Sequence, residues 1–394
     1  MKSCINEFLQ RAHNMKCKHI AVIVIMVVFQ LLSPLTIAQE TKQFTVIKEN
    51  WASPYKSQGE TGLCAIYSDI SFLESELHRL EKGDLELSTM YVAYNFYIEK
   101  ALRRIRLRGK KDFGFNGGFN YDAFEIIKKY GIVQLSDYTG LLPGQTEPHH
   151  FEFINQMHSY LDNVEKEGKE GKLNSQWKNG KFYCPWLDSI KQILNQNMGV
   201  LPTAINYNKK KISPIQFSEE VLSIPYDNYI KITSYSYLGF DQKGELLVDG
   251  NWLHKKDFYN VRIDDFINLI DYALENGFTL TGDFDITKEL YENKLGVEYG
   301  DFQLDSSNTK INQDIRDNLY ENWKTNDVHN VHIIGIARDE KGNKYYKIKD
   351  SVPQKDIPNS PKYFSENFFR AKVLSVMLNK DGIPSEIRKG LNIN

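Results

Sequence analysis

The spacing of apolar residues along the chain predicts helices in its first part. Apolar residues recur every three to four positions from residue 63 onward, and the same spacing returns in two later stretches. One face of a helix carries such a pattern, so we expect helices at about 64–83, 87–106 and 123–130. Ser88 is placed as the N-cap of the second helix.

After about residue 226 the apolar residues alternate, as in strands with one buried face. The segment between the two parts is expected to be an inserted, mainly helical region. Helices followed by strands indicate an α+β fold with two lobes. We expect strands at 229–237, 245–249, 278–286, 329–337 and 344–350, and a helix at 263–276. The expected divisions are a helical lobe (about 50–140), a helical insertion (about 141–225), a β-rich lobe (about 226–380) and a C-terminal tail (381–394).

Residues 20–32 form an almost unbroken apolar run, with basic residues before it and small residues up to Ala38 after it. A basic stretch, a short apolar core and a cut after small residues are typical of a secretory signal peptide. We therefore expect residues 1–38 to be removed near Ala38 and the protein to be exported. The alternative is an uncleaved membrane anchor formed by residues 20–37, and Met15 is an alternative start.

Composition narrows the function only a little. The chain has 394 residues, of which 41% are hydrophobic and 25% charged, and its formal net charge is -2. This balance is ordinary for a globular protein and lacks a basic excess, so no nucleic-acid partner is expected. Cys4 and Cys17 fall in the expected signal peptide, which leaves Cys64 and Cys184. These two make no disulfide framework, although a bridge between them stays open.

Three histidines occur close together along the expected insertion, at His149, His150 and His158. They lack a carboxylate or cysteine set at the spacing of metal ligands. We therefore expect them on the surface, and expect neither a metal site nor a cofactor.

Candidate chemistry begins at Cys64, in the first turn of the first expected helix. Unpaired backbone N–H groups and the positive end of the helix dipole stabilise a thiolate there relative to a thiol. Gly59 and Gly62 let the chain approach closely, and Gln58 brings a side-chain amide just ahead of the sulfur. An amide together with the backbone N–H of the cysteine can form an oxyanion hole. The alternative is a buried structural cysteine.

An expected hairpin near the end of the chain supplies a second candidate pair. Opposite residues of a hairpin have a constant sum of numbers, and placing Ile333 opposite Tyr346 buries apolar residues together. This register puts His329 opposite Asp350, while His332 faces the other side of the sheet. A carboxylate beside an imidazole fixes its tautomer and stabilises the imidazolium that a cysteine nucleophile needs. The alternative is a charged pair that only stabilises the strand ends.

In this order along the chain, four segments resemble the motifs of the papain-like cysteine peptidases. They are Gln58-Gly59 with Gly62-Leu63-Cys64 and Ser68, Asn116-Gly117-Gly118, His329-Asn330-Val331 with Gly335, and Lys347-Ile348-Lys349-Asp350-Ser351. Two further segments are similar to the bleomycin hydrolase/aminopeptidase C branch, 256–261 and 380–384.

The resemblance implies a two-lobed papain-like fold, with a helical N-terminal lobe, an antiparallel β-barrel-like C-terminal lobe and the active-site cleft between them. It implies a cysteine peptidase, and in this branch an aminopeptidase, that acts on peptides through a thioester. The branch forms hexamers and holds the substrate's amino terminus with its C-terminal tail, which here ends at Asn394. The implied roles are Cys64 as nucleophile, His329 as general base and acid, Asp350 as the group orienting the ring, Gln58 as oxyanion donor, and Gly117 and Gly118 as backbone partners of the substrate.

The chain also departs from the family pattern. Ala65 stands where the family has an aromatic residue, Asp350 replaces an asparagine, and Val352-Pro353 replaces Trp-Gly. Ala65 and Val352-Pro353 favour an alternative function, a papain-fold protein with impaired catalysis that binds peptides.

Overall fold

The computed structural model of the protein describes residues 43–109, 114–178, 180–286, 291–294, 297–300, 309–352 and 362–393. The expected signal peptide, the alternative anchor and start within it, Pro353 and Asn394 lie outside these residues. None of the described helices combines the length and the apolar character that a membrane crossing requires.

The helices are concentrated before residue 200. They are α1 (Cys64–Arg79), α2 (Thr89–Arg106), α3 (Asp122–Tyr130), α4 (Phe151–Lys169), α5 (Trp186–Met198), α6 (Ile263–Glu275), α7 (Gln313–Glu321), α8 (Glu366–Lys372) and α9 (Ser385–Gly390). Short helical turns also occur at Pro214–Gln216, Phe217–Leu222, Tyr226–Asn228, Ser236–Leu238 and Lys380–Gly382.

The helices expected from local spacing are confirmed. The first begins at Cys64 as predicted but ends at Arg79, before Gly83. Ser88 caps α2, because its side chain accepts a hydrogen bond from the backbone N–H of Tyr91 at 3.0 Å. Gly131 ends α3 with a φ of 74°, a left-handed conformation that glycine adopts without steric cost.

The strands are β1 (Phe44–Glu49), β2 (Gln176–Lys178), β3 (Lys181–Tyr183), β4 (Ile205–Tyr207), β5 (Lys210–Ile212), β6 (Tyr229–Thr233), β7 (Gln242–Gly244), β8 (Phe258–Asn260), β9 (Leu280–Phe284), β10 (Tyr291–Lys294), β11 (Val297–Gly300), β12 (His329–Asp339), β13 (Lys344–Lys349), β14 (Lys362–Ser365) and β15 (Val373–Asn379). The described strands of the main sheet follow the order β10-β11-β14-β13-β12-β9-β15-β6-β8-β7, and β1 pairs with β12. This path is open, so the barrel-like lobe expected from the resemblance is a sheet that does not close among the described residues.

The predicted strands differ from the observed ones in several places. The insertion carries two hairpins, β2-β3 and β4-β5, in addition to its helices. The strand expected at 245–249 is wrong, because Val248 N and the Asn251 side chain both donate to the Leu246 carbonyl and close a turn there. The strand β1 was not expected, since most of its residues are exposed and it shows no apolar face.

The predicted register of the β12-β13 hairpin is also wrong. Ile333 lies opposite Ile348, two residues beyond its predicted partner Tyr346. A further shift of one residue between Ile333 and Gly335 places Tyr346 opposite Ile336. The irregularity coincides with a close approach of β1, since a Cβ on Gly335 would lie 2.3 Å from the carbonyl oxygen of Lys48.

Two clusters of buried apolar side chains hold the fold together. One joins the helices α1 to α5, and the other joins the central strands of the sheet to α6 and α8. The helix α1 packs against β12 and β9, so its N-terminus meets the start of β12 where the two clusters adjoin. The tail packs against the second cluster through Leu391 and Ile393.

Candidate active site

Cys64 is the first residue of α1 and is buried, with 7% of its surface exposed. Leu63 precedes it as the N-cap, and no side chain of the described residues caps this helix start. The backbone N–H groups of the first turn therefore keep the partial positive charge that favours an anion. Cys184 is also a free buried thiol, so the bridge that the sequence left open is not formed.

His329 is the first residue of β12 and interacts with both Asp350 and Cys64. Its Nε2 lies 2.8 Å from Asp350 Oδ1, and the Cys64 sulfur acts electrostatically on the same ring. Burial opposes charge on the ring, but the Asp350 carboxylate and the Cys64 sulfur outweigh it and raise the pKa of His329 to about 10. The ring is therefore an imidazolium at neutral pH, the form that pairs with a thiolate.

Asp350 directly follows β13 and accepts several hydrogen bonds. Its Oδ1 accepts from the backbone N–H of Ser351 at 2.6 Å and of Val352 at 3.2 Å, and its Oδ2 accepts from Lys362 Nζ at 2.6 Å. Burial alone would favour the neutral acid, but His329 and Lys362 hold the pKa of Asp350 well below its usual range. The group that orients the His329 ring is therefore an ionised carboxylate.

Gln58 is held against the residue that follows Asp350. Its Oε1 accepts a hydrogen bond from Ser351 Oγ at 2.8 Å, and its backbone N–H donates to the Ser351 carbonyl at 2.8 Å. With Oε1 occupied, the amide turns its NH₂ group away from Ser351, and that group is a donor. The bond to Ser351 thus leaves the NH₂ end of the amide as the donor.

The glycine pair lies beside the loop that precedes Cys64. Gly117 donates its backbone N–H to the Gly62 carbonyl at 2.8 Å. Gly117 is half-buried with a φ of 75°, and a Cβ there would meet no heavy atom within 4 Å. Gly118 is buried, and a Cβ there would lie 2.7 Å from Asp122 Oδ2 and 3.1 Å from Ala65 Cβ. The backbone at Gly117 thus faces open space, whereas Gly118 permits close packing.

His332 lies on the other side of the sheet, as strand alternation predicts. It is fully buried, its Nδ1 lies 2.8 Å from Ser71 Oγ, and its Nε2 has no hydrogen-bond partner among the described residues. It lies opposite Lys349. Burial and Lys349 lower the pKa of His332 well below its usual range, so this ring is neutral.

Asn330 contacts the sulfur from the buried side. Its Oδ1 lies 4.0 Å from Cys64 Sγ, and its Nδ2 donates to Asp283 Oδ1. Asp283 is fully buried, and its Oδ2 accepts from Ser375 Oγ at 2.8 Å. Because the amide nitrogen is bound to a carboxylate, the carbonyl oxygen is the end that faces the sulfur.

Sequence reasoning missed the roles of Ser351, Lys362 and Asn330. Ser351 and Asn330 lie inside the quoted motifs, next to Asp350 and His329, so their positions alone were a usable signal. Lys362 carries no such signal. It reaches Asp350 because β13 pairs with β14, with Ile348 opposite Lys362.

The three histidines of the insertion are arranged differently from the expectation. His149 is exposed, but His150 is only 2% exposed, and its Nδ1 lies 2.8 Å from the Tyr97 hydroxyl. The expected surface position is therefore wrong for His150, which is buried directly before the first residue of α4. Across the described ranges, no group of three or more His, Cys, Asp or Glu side chains is arranged to hold a metal ion.

No family model and no curated protein sequence matches the chain. In fold it is similar to PepW from Lactobacillus rhamnosis HN001, with a TM-score of 0.65 over 88% of this chain and 84% of that one, at 16% identity. It is also similar to procathepsin L 3 of Tenebrio molitor larval midgut, with a TM-score of 0.35, 16% identity and coverage of 85% and 71%. The bromelain protease from Ananas comosus gives a TM-score of 0.35, 13% identity and coverage of 83% and 92%.

At 16% identity the PepW match supports a similarity of fold alone. The two matches with TM-scores of 0.35 add no support. The chain therefore has the α+β, papain-like fold that its motifs predict.

Proposed function

We propose that the protein is a cysteine peptidase that hydrolyses peptide bonds. The observation that carries the proposal is the His329 ring, which hydrogen-bonds with the Asp350 carboxylate at 2.8 Å and interacts electrostatically with Cys64 at the start of α1. A thiolate at a helix N-terminus, paired with an imidazolium that a carboxylate orients, is the arrangement that thiol nucleophiles use.

The proposed reaction proceeds through a thioester. The Cys64 sulfur attacks the substrate carbonyl carbon, and the Gln58 amide and the backbone N–H of Cys64 stabilise the oxyanion. His329 gives its proton to the departing amine nitrogen, and the C–N bond breaks. The neutral His329 then takes a proton from water, whose oxygen attacks the thioester, and the acid leaves as the thiolate and imidazolium are restored.

The test compares Cys64→Ser with Cys184→Ser, because both native thiols are free and each is 7% exposed. Cys64→Ser is expected to abolish peptide hydrolysis and labelling by an epoxide thiol reagent while unfolding at the wild-type denaturant concentration. Cys184→Ser is expected to retain both. Hydrolysis that persists in Cys64→Ser would rule the proposal out.

Within this class we propose that the enzyme is an aminopeptidase. The proposal is supported by the likeness of residues 380–384 to the aminopeptidase C branch. Ile393, next to the last residue of the tail, packs against the second apolar cluster. Peptides with a free amino terminus should be cleaved, and the same peptides with an acetylated terminus should not. Equal cleavage of both would identify an endopeptidase.

We also propose that the protein is exported, on the basis of the apolar run at residues 20–32 and the small residues up to Ala38. Sequencing of the amino terminus after expression in a secreting host should give Gln39 as the first residue. A chain that keeps residues 20–37 and sediments with membranes would indicate the anchored alternative.

A second candidate function is peptide binding without efficient turnover. It is favoured by Ala65 in place of an aromatic residue and by the Asn330 carbonyl oxygen that faces Cys64 Sγ at 4.0 Å. Slow alkylation of Cys64 by iodoacetamide, no faster than that of an ordinary thiol, would support this candidate. Fast alkylation at neutral pH would support the peptidase.

A further inference from the structure

Asp350 has two cationic partners rather than one. Its Oδ1 faces His329 Nε2 at 2.8 Å, and its Oδ2 faces Lys362 Nζ at 2.6 Å. The three side chains are 5%, 12% and 6% exposed, for Asp350, His329 and Lys362 respectively, so water screens none of these charges well. The carboxylate thus lies between two positive charges in a buried row.

Sheet register brings Lys362 to this position. Lys362 is the first residue of β14 and lies opposite Ile348 of β13, and Asp350 follows just after the end of β13. A buried lysine is costly unless it is paired, and this one has a carboxylate at hydrogen-bond distance. The pair is therefore built by strand pairing across a gap in the sequence.

Asp350 stands at a position where the resembling motif has a neutral asparagine. A lone carboxylate at 2.8 Å from the ring would bind the imidazolium more strongly than an amide does. A ring held too firmly in its charged form is a poor proton donor, because general acid catalysis is most efficient when the pKa of the donor lies near the working pH. The positive charge of Lys362 offsets the negative charge of Asp350, and the two together carry the zero charge of an amide.

We propose that Lys362 is a positioning residue that offsets part of the negative charge of Asp350, so that Asp350 orients the His329 ring but holds it in the charged form less firmly than a lone carboxylate would. Lys362 contacts the carboxylate and not the reacting atoms, so its effect reaches the reaction through Asp350 and His329. The catalytic benefit of the Lys362–Asp350 pair rests on the proposed peptidase function. The effect of Lys362 on the charge of Asp350 does not depend on that function.

Other titratable groups face the same row. Tyr55 interacts electrostatically with both Asp350 and Lys362 and donates from its hydroxyl to the Val352 carbonyl at 3.0 Å. Burial raises the pKa of Tyr55, so it stays neutral and does not alter the balance. On the α1 side the Cys64 sulfur faces the ring, and Asp69 acts on Cys64 from the same helix.

The test follows the titration of the His329 ring by NMR in the full chain, with its resonance assigned by its loss in His329→Gln. Lys362→Met is expected to raise the titration midpoint by about one pH unit or more, since Asp350 then acts uncompensated. Asp350→Asn is expected to lower it by a similar amount, because a buried positive charge then faces the ring. The double variant should lie between Asp350→Asn and the wild type, because it loses the carboxylate but also the buried positive charge. Lys362→Arg keeps the charge and should keep the wild-type midpoint.

An unchanged midpoint in Lys362→Met would overturn the proposal, since a lysine that served only the fold would not move it. Should Lys362→Met fail to fold, the double variant provides the same test. Its midpoint must lie above that of Asp350→Asn, and equal values would overturn the proposal. The titration can be measured whether or not the chain hydrolyses peptides, so an inactive Cys64 would refute the proposed function without affecting this result. In an active enzyme, Lys362→Met should also lower kcat several-fold with little change in KM.

Discussion

Ser351 and Gln58 are joined by two hydrogen bonds, one between their main chains and one between their side chains, each 2.8 Å long. Ser351 is also bonded through its backbone N–H to Asp350 Oδ1 at 2.6 Å. One residue thus connects the amide proposed to stabilise the oxyanion with the carboxylate that orients His329. Both sides of the candidate site depend on the placement of Ser351.

Ser351→Ala should slow hydrolysis by roughly three- to ten-fold in kcat, because the Gln58 amide loses the bond that orients it. Gln58→Ala should slow it by roughly a hundred-fold, as expected for loss of an oxyanion donor. Steady-state kinetics on one peptide measures both. Ser351→Thr keeps the hydroxyl and serves as the control. Equal rates for Ser351→Ala and the wild type would show that the amide is oriented without Ser351.

Alanine at Gly117 and at Gly118 should have different effects. At Gly118 the new methyl group would lie 2.7 Å from Asp122 Oδ2, so we expect a loss of about 1 to 3 kcal/mol in the free energy of unfolding. At Gly117 the space is open, and the left-handed φ of 75° costs about 1 kcal/mol. If a substrate lies along this backbone, Gly117→Ala should raise KM and leave kcat nearly unchanged. Urea unfolding measures the stability of both variants, and steady-state kinetics measures their KM and kcat. An unchanged KM in Gly117→Ala would mean that the substrate does not bind along this backbone.

Asn330→Ala should increase the rate at which iodoacetamide alkylates Cys64 at neutral pH, by roughly three- to ten-fold. The native Oδ1 lies 4.0 Å from Sγ, where it accepts from a thiol and repels a thiolate. The rate is measured by mass spectrometry of the Cys64 peptide. Cys184 in the same sample provides the internal control, because its alkylation should not change. A slower reaction at Cys64 would mean that Asn330 supports the thiolate instead.

Features that depend on residues only a few positions apart could be predicted from the sequence. The start of α1 at Cys64 and the cap at Ser88 followed from spacing and residue type within a few positions. The pairing of His329 with Asp350 was expected from a register that proved wrong. The shift between Ile333 and Gly335 arises where β1 approaches, and the pattern of β1 gave no sign of that contact.

The contact of Lys362 with Asp350 could not be predicted from the sequence. The contact exists because β14 pairs with β13, and strand pairing across several residues leaves no periodic trace in the sequence. His150 was misplaced for a similar reason, because its burial depends on Tyr97 and Phe153 packing against its ring. Residue type and spacing identified the candidate reacting groups, whereas their supporting partners came from tertiary contacts.

His150 should make the fold sensitive to acid. Burial and the neighbouring His149 lower the pKa of His150 to about 3, against about 6.5 in an unfolded chain. Between these values the unfolded chain binds a proton that the folded chain does not, so stability is present above pH 6.5 and is lost as the pH falls. One proton gives a slope of about 1.4 kcal/mol per pH unit, or about 2 kcal/mol between pH 6.5 and pH 5. Burial raises the pKa of Asp122 and Asp327 to about 7, and these groups act in the opposite direction, so the His150 contribution is measured as the difference between the wild type and a variant in urea unfolding at these two pH values.

His150→Gln keeps an acceptor for the Tyr97 hydroxyl and has no group that titrates in this range, so it should lose about 2 kcal/mol less than the wild type between pH 6.5 and pH 5. The matched control is His149→Gln, because the His149 side chain is 56% exposed and borders the same helix start. It should keep the slope of the wild type. His332, which burial also keeps neutral, contributes a slope of its own and is unchanged in both variants. If His150→Gln retained the wild-type slope, His150 would contribute nothing to the pH dependence of stability. The acid sensitivity would then come from His332 or another buried group.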